Sequence, residues 1–170
     1  MMREKRIPKY ELEAVNEDTI KKYNLPTDGD FEWYQLVALR AFGNVEEGDK
    51  GGFVSHTFLS QSGTCWIEEG SIAMFCTVTG NAVIKKHSIL ADIAIGDNAI
   101  VSNSSIYGSE ATTKNSIKIK GTSKIIDCEK IEVTSSLAMD GESRIEGIPY
   151  IRVDSLKVSG DTQIGKRGKE

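Results

Sequence analysis

From Trp66 onward a bulky apolar residue recurs at every sixth position: Trp66, Ile72, Val78, Ile84 and Leu90. After one deleted residue the series resumes at Ile95, Val101 and Tyr107. Four positions after each stands a small residue: Gly70, Cys76, Ala82, Ser88, Ala94, Ala99, Ser105 and Ala111. A helix repeats every 3.6 residues and cannot keep a strict six on one face. The pattern instead predicts short strands that each turn one bulky side chain inward, joined by corners where a small residue fits the bend. Three such units close a triangular coil of about eighteen residues, and stacked coils share one apolar centre. The residue three after the bulky one, as in Asn81, His87 and Asn98, is predicted at a left-handed corner, which Asn and His tolerate better than most.

Beyond Tyr107 the step persists through Ile119, Ile125, Ile131 and Leu137, then loosens through Ile145, Ile151, Val158 and Ile164. One long turn is expected around Asp140-Gly141-Glu142-Ser143. Residues 1–59 lack the repeat. Within them Tyr10 to Val15 reads as a strand and Asn16 to Tyr23 as a helical turn or two capped by Asn16. The aromatic run Phe31 to Phe42 reads as a strand, and Gly43 to Gly52 as turns. A solenoid needs its first coil covered, and this segment is placed to do so. The division is therefore a cap over 1–59, a solenoid over 60–164 and a charged tail over 165–170.

The units Ile95-Gly96-Asp97-Asn98-Ala99, Val101-Ser102-Asn103-Ser104-Ser105 and Tyr107-Gly108-Ser109-Glu110-Ala111 resemble the hexapeptide repeat of left-handed parallel β-helices, the architecture of certain acyltransferases and of gamma-class carbonic anhydrases. The left hand is implied by that resemblance and not by the spacing. The stretch from Leu36 through Gly51-Gly52-Phe53-Val54 to Cys65-Trp66-Ile67 resembles bacterial and prophage-associated β-helix proteins, often labelled transferases for their repeats. That likeness covers roughly residues 36–111. It implies an all-β, left-handed parallel β-helix with an N-terminal capping segment, and it points to a phage origin.

The 170 residues carry a formal net charge of -4, which does not favour general nucleic-acid binding. Three cysteines without paired spacing read as reduced thiols, and the absence of CxxC speaks against structural zinc. The charged start, Met1-Met2-Arg3-Glu4-Lys5-Arg6, is followed by no apolar stretch. It is read as neither signal peptide nor membrane anchor, and the expected location is cytoplasmic.

His87 is the candidate general base if the chain is an acyltransferase using acyl-CoA, the role a histidine fills in the enzymes that the repeat resembles. The alternative is that His87 only serves a corner, and the spacing favours this. His56 is the second histidine, and two cannot make a three-histidine metal site. No metal is expected. Cys76 and Cys128 read as buried inert thiols. Gly48-Asp49-Lys50-Gly51-Gly52 lacks the phosphate-loop pattern and reads as turns. Lys114, Lys118, Lys120 and Lys124 form a modest basic patch, a solvated face or the seat of a small anionic ligand between subunits.

Side chains alternate along a strand, so the residue before each inward position faces outward. That assigns three outer columns: Cys65, Val83 and Ile100; Ser71, Ile89 and Ile106; Thr77, Ala94 and Thr112. Two are apolar, and a monomer seldom leaves such faces bare. Val83, Ile89, Ile100 and Ile106 are therefore the expected contact residues, covered by the folded-back N-terminal segment or by other copies of the chain. The resemblance implies a trimer. The expected function is a non-catalytic structural or interaction module, a phage-encoded accessory protein that self-associates and binds a partner. Acyl transfer and small-anion binding are the alternatives.

Overall fold

The computed structural model of the protein describes residues 6–108 and 117–165. Its regular structure is almost entirely strand, stacked as a parallel β-solenoid of about 5 turns. One face is a six-stranded sheet whose successive strands begin at Trp66, Val83, Ile100, Lys124, Arg144 and Gln163. Its inward column is Ile67, Ile84, Val101, Ile125, Ile145 and Ile164, each paired in register with the next. A second face carries Val54, Ala73, Leu90, Ile106, Ile131 and Ile151 inward. The third carries Leu59, Val78, Ile95, Ile119, Met139 and Val158. These columns meet in one apolar centre. Seventeen residues separate Val83 from its partner Ile100, and twenty-four separate Ile100 from Lys124. The longer coil contains residues 109–116, so Ala111, Thr112 and Lys114 lie outside the described residues.

Corners are built from backbone requirements. Ser71, Ser88, Ser104 and Cys128 stack inside one of them. The Ser88 amide donates to Ser71 Oγ at 3.2 Å, the Ser104 amide to Ser88 Oγ at 3.3 Å, and the Cys128 amide to Ser104 Oγ at 3.1 Å. A buried amide that turns away from the sheet ladder needs such an acceptor, so a small hydroxyl fits this row better than alanine. Outside another corner the Asn81 side chain donates to Asn98 Oδ1 at 3.1 Å, one coil along.

Before the coils, β1 (Tyr10–Ala14), α1 (Glu17–Lys22), β2 (Tyr34–Ala38) and β3 (Lys50–Ser55) form the cap. Asn16 caps α1, its Oδ1 accepting the Thr19 amide at 2.9 Å. β1 and β2 pair antiparallel, and so do β2 and β3. β3 then pairs parallel with Ile72–Met74. The cap thus continues one sheet of the solenoid instead of sitting loosely on it. Only the middle of the Phe31–Phe42 run is strand, and Lys50 to Gly52 belong to β3, not to a turn. The glycines are there for close approach: a Cβ on Gly51 would stand 2.6 Å from Trp66 Cζ2 and 2.7 Å from the Ile67 carbonyl oxygen.

Several inward assignments shift by one residue. Ile67, Ala73 and Ile106 point inward where Trp66, Ile72 and Tyr107 were expected. Ile72 is buried all the same, because the cap covers the outside of its face: Leu25, Trp33, Phe53, Ile72 and Met74 form a second apolar cluster, with Ile89 packed against it. Periodicity cannot distinguish an interior site from an outer site that another segment covers. Ile106 is fully buried within the coil, which removes it from the outer column, and Ser105 takes the outward place beside Ile89. Cys65 and Ser71 are likewise buried corner residues; Trp66 and Ile72 stand in their outer columns. At these three corners the positive φ falls on Gly80, on Lys86 and His87, and on Asp97, so His87 falls as expected while Asn81 and Asn98 each follow the left-handed position by one.

Candidate functional site: an outer-face groove

Trp66, Val83 and Ile100 form one outward column of the six-stranded face, in register across three coils. The loop between β2 and β3 arches beside it. Its tip is a tight turn in which Phe42 and Val45 exchange backbone hydrogen bonds of 3.0 and 2.8 Å. Its base is tied by Ala38 and Asp49, the Ala38 amide donating to the Asp49 carbonyl at 2.9 Å. Asp49 Oδ2 also accepts the Glu46 amide at 2.9 Å, which fixes the return of the loop. Phe42 meets Trp66 edge-on, with ring centroids 5.3 Å apart. Trp66 is thereby buried although it lies outside the coil.

Loop and face enclose a groove of about 530 Å³. Its floor is apolar and half-exposed at Val83 and Ile100, and its rim mixes signs, with Lys50 and Lys85 facing Asp49, Glu68 and Glu69. An apolar floor inside a rim of both charges suits the edge of a folded partner or a peptide better than a small anion. Of the patch's lysines, Lys118 and Lys124 stand on different faces. Lys118 lies on the outer side of the third face, paired with Ala94, whereas Lys124 lies on the six-stranded face, paired with Ile100.

The two histidines sit apart from this groove and from each other. His87 is exposed at a left-handed corner with φ 58°, and among the described residues no hydrogen bond or ion pair holds its ring. His56 occupies a different corner with φ 48°. Its Nε2 is 2.9 Å from the Asp30 carbonyl oxygen, and its ring stacks on Phe75 with centroids 4.9 Å apart. The three cysteines are free and buried. Burial pushes the Cys76 thiol up to about 12, and it raises Cys128 as well. Cys76 and Cys128 are therefore poor nucleophiles. Among the described residues no group of three or more His, Cys, Asp or Glu side chains could hold a metal ion. No described helix is long and apolar enough to cross a membrane.

Of the four expected contact residues, the structure brings Val83 and Ile100 together on the groove floor. It places Ile89 under the cap and Ile106 inside the coil. Sequence reasoning missed the loop that forms the groove's wall. The glycine and aspartate content of 43–52 signalled turns, but nothing in it said where the loop would lean.

Fold and groove together define a capped parallel β-solenoid with a recessed apolar shelf on one outer face. No protein-family model matches the chain, and no curated protein matches it significantly.

Proposed function

We propose that this protein is a non-catalytic β-solenoid interaction module that self-associates, and binds its partner, through the outer face bearing Val83 and Ile100. The carrying observation is that shelf: two β-branched side chains, in register and half-exposed, with Ile126 farther along the same face. A flat apolar surface of this kind is normally covered in the working state. A closed cyclic assembly would bury the same shelf in every subunit. The β-helices that the repeat resembles associate as trimers, and a phage-encoded accessory role fits such an assembly.

The test is Val83→Lys combined with Ile100→Lys, examined by sedimentation. Both positions are half-exposed, so the coils should stay folded, with an unchanged circular dichroism spectrum. The double variant should sediment as a smaller species than the parent. A parent that is already monomeric, or a variant that sediments like an oligomeric parent, overturns the reading. Acyl transfer is distinguished by incubating the protein with a panel of acyl-CoA thioesters and measuring free thiol. Release that disappears with His87→Ala would replace the module by an enzyme.

A further inference from the structure

Lys9 is fully buried just before β1, the outermost strand of the cap. Its Nζ donates to the Cys65 carbonyl at 3.0 Å and to the Ser62 carbonyl at 3.5 Å, and it lies 5.1 Å above the Phe42 ring. The same nitrogen is 3.2 Å from Cys65 Sγ, and Cys65 is also fully buried. Buried lysines are ordinarily paired with a carboxylate. The ion pairs among the described residues, Lys130–Glu132 and Arg144–Glu146, do not include Lys9. The reactive group beside this amine is a thiol. Both are held in place, with the Lys9 amide anchored to Gln61 Oε1 at 2.7 Å and the thiol near the Ser60 and Val78 carbonyl oxygens at 3.6 and 3.7 Å.

We propose that Lys9 and Cys65 are a peroxide-responsive cross-linking site, joined on oxidation by a sulfenamide N–S bond that fastens the cap to the first coil. In the first step hydrogen peroxide transfers one oxygen to Sγ. The thiol becomes a sulfenic acid, the peroxide leaves as water, and sulfur is oxidised by two electrons. In the second step Nζ, its extra proton released to solvent, attacks the sulfur. The N–S bond forms as the S–O bond breaks, and the hydroxyl leaves with one nitrogen hydrogen as water. No second oxidant is needed. A small thiol reverses the link by attacking sulfur and releasing the amine. A surface hollow lined by Arg6, Arg40, Gln61 and Gly63 reaches Lys9 but not Cys65, so the oxidant meets the thiol when this corner opens. Cys76 is the internal contrast: it is also buried, but its Sγ faces the Met74 carbonyl at 3.1 Å, and among the described residues no lysine amine is hydrogen-bonded to it.

The folded chain should be treated with hydrogen peroxide, blocked at its remaining thiols, digested and mapped by mass spectrometry. The expected result is a joined pair of peptides containing Lys9 and Cys65, in a chain lighter by about 2 Da for the two hydrogens lost, with both signals erased by dithiothreitol. An intramolecular disulfide would cost the same mass, so the experiment is repeated with Cys76→Ala and Cys128→Ala together, where none can form. Lys9→Arg should divert Cys65 to sulfinic and sulfonic acids. The proposal is overturned if the parent's Cys65 takes that route itself. It is equally overturned if the only joined peptides link two cysteines, or if Cys65 stays unmodified while the urea-unfolded chain is fully oxidised.

Discussion

The imidazole of His87 lies over Gly70 of the neighbouring coil, so close that a Cβ on Gly70 would run into Nδ1 of the ring. Gly70 itself has φ +85°, a conformation that side chains rarely adopt. The two residues are one structural unit, a left-handed corner roofing a glycine. Gly70→Ala should destabilise the chain by about 1–3 kcal/mol through backbone strain and displacement of the ring. In a His87→Ala background the ring conflict is gone, so the double variant should be more stable than the sum of the two single changes implies. Denaturant midpoints for the four proteins decide it, and simple additivity would defeat the idea. His87→Asn should fold within about 1 kcal/mol of the parent, since Asn accepts the same backbone.

Val83 and Ile84 are adjacent in sequence and opposite in role. Ile84 is fully buried in the column between Ile67 and Val101, whereas Val83 is half-exposed on the groove floor. Ile84→Ala should cost about 2–5 kcal/mol, the lost burial plus the cavity it leaves. Val83→Ala should cost under about 1 kcal/mol in the isolated chain. Urea unfolding at a concentration where the protein is monomeric measures both. Similar costs would show that the alternation assigned to this face is wrong.

The Cys76 thiol gives the fold an alkaline weakness. Its pKa rises from 9.0 to about 12, chiefly because burial disfavours the thiolate. A group raised in the folded state contributes stability that is fully present below its unfolded value and is lost as the pH climbs through the folded one. Stability should therefore fall between pH 9 and about 12, with a slope from this group approaching roughly 1.4 kcal/mol per pH unit. Tyr10 and Cys128 are also raised by burial and add to the decline. The share of Cys76 is the difference in slope between parent and Cys76→Ala, read from urea midpoints across that range. Parallel slopes would mean that the thiol does not feel its burial.

The candidate site was half legible. Val83 and Ile100 could be placed on one outer column because residues seventeen apart in a regular solenoid fall in register. Ile106 could not, because the corner after Val101 is one residue tighter and Ile106-Tyr107 offers two bulky apolar side chains in a row. The coil selects the isoleucine and leaves the tyrosine outside, 5.8 Å below the Lys130 ammonium. Trp66 and Ile72 were misplaced for another reason. Each is an outer residue buried by a segment from elsewhere, Trp66 by Phe42 and Ile72 by Leu25, Trp33 and Phe53. Burial leaves the same hydrophobic mark in a sequence whichever side it comes from.

The sequence by itself determined the solenoid, its parallel stacking and most of its interior, from Val78 through Val101 and on to Ile145. These are consequences of local spacing: once strands and corners repeat, each coil dictates the register of the next. The tertiary structure alone decided what lies over the coils. It set Phe42 on Trp66, closed the cap over Ile72 and Ile89, and brought Lys9 to 3.2 Å from Cys65, fifty-six positions along the chain. Such contacts join residues that share no period, and their partners are chosen by the packing of the whole cap against the first coils.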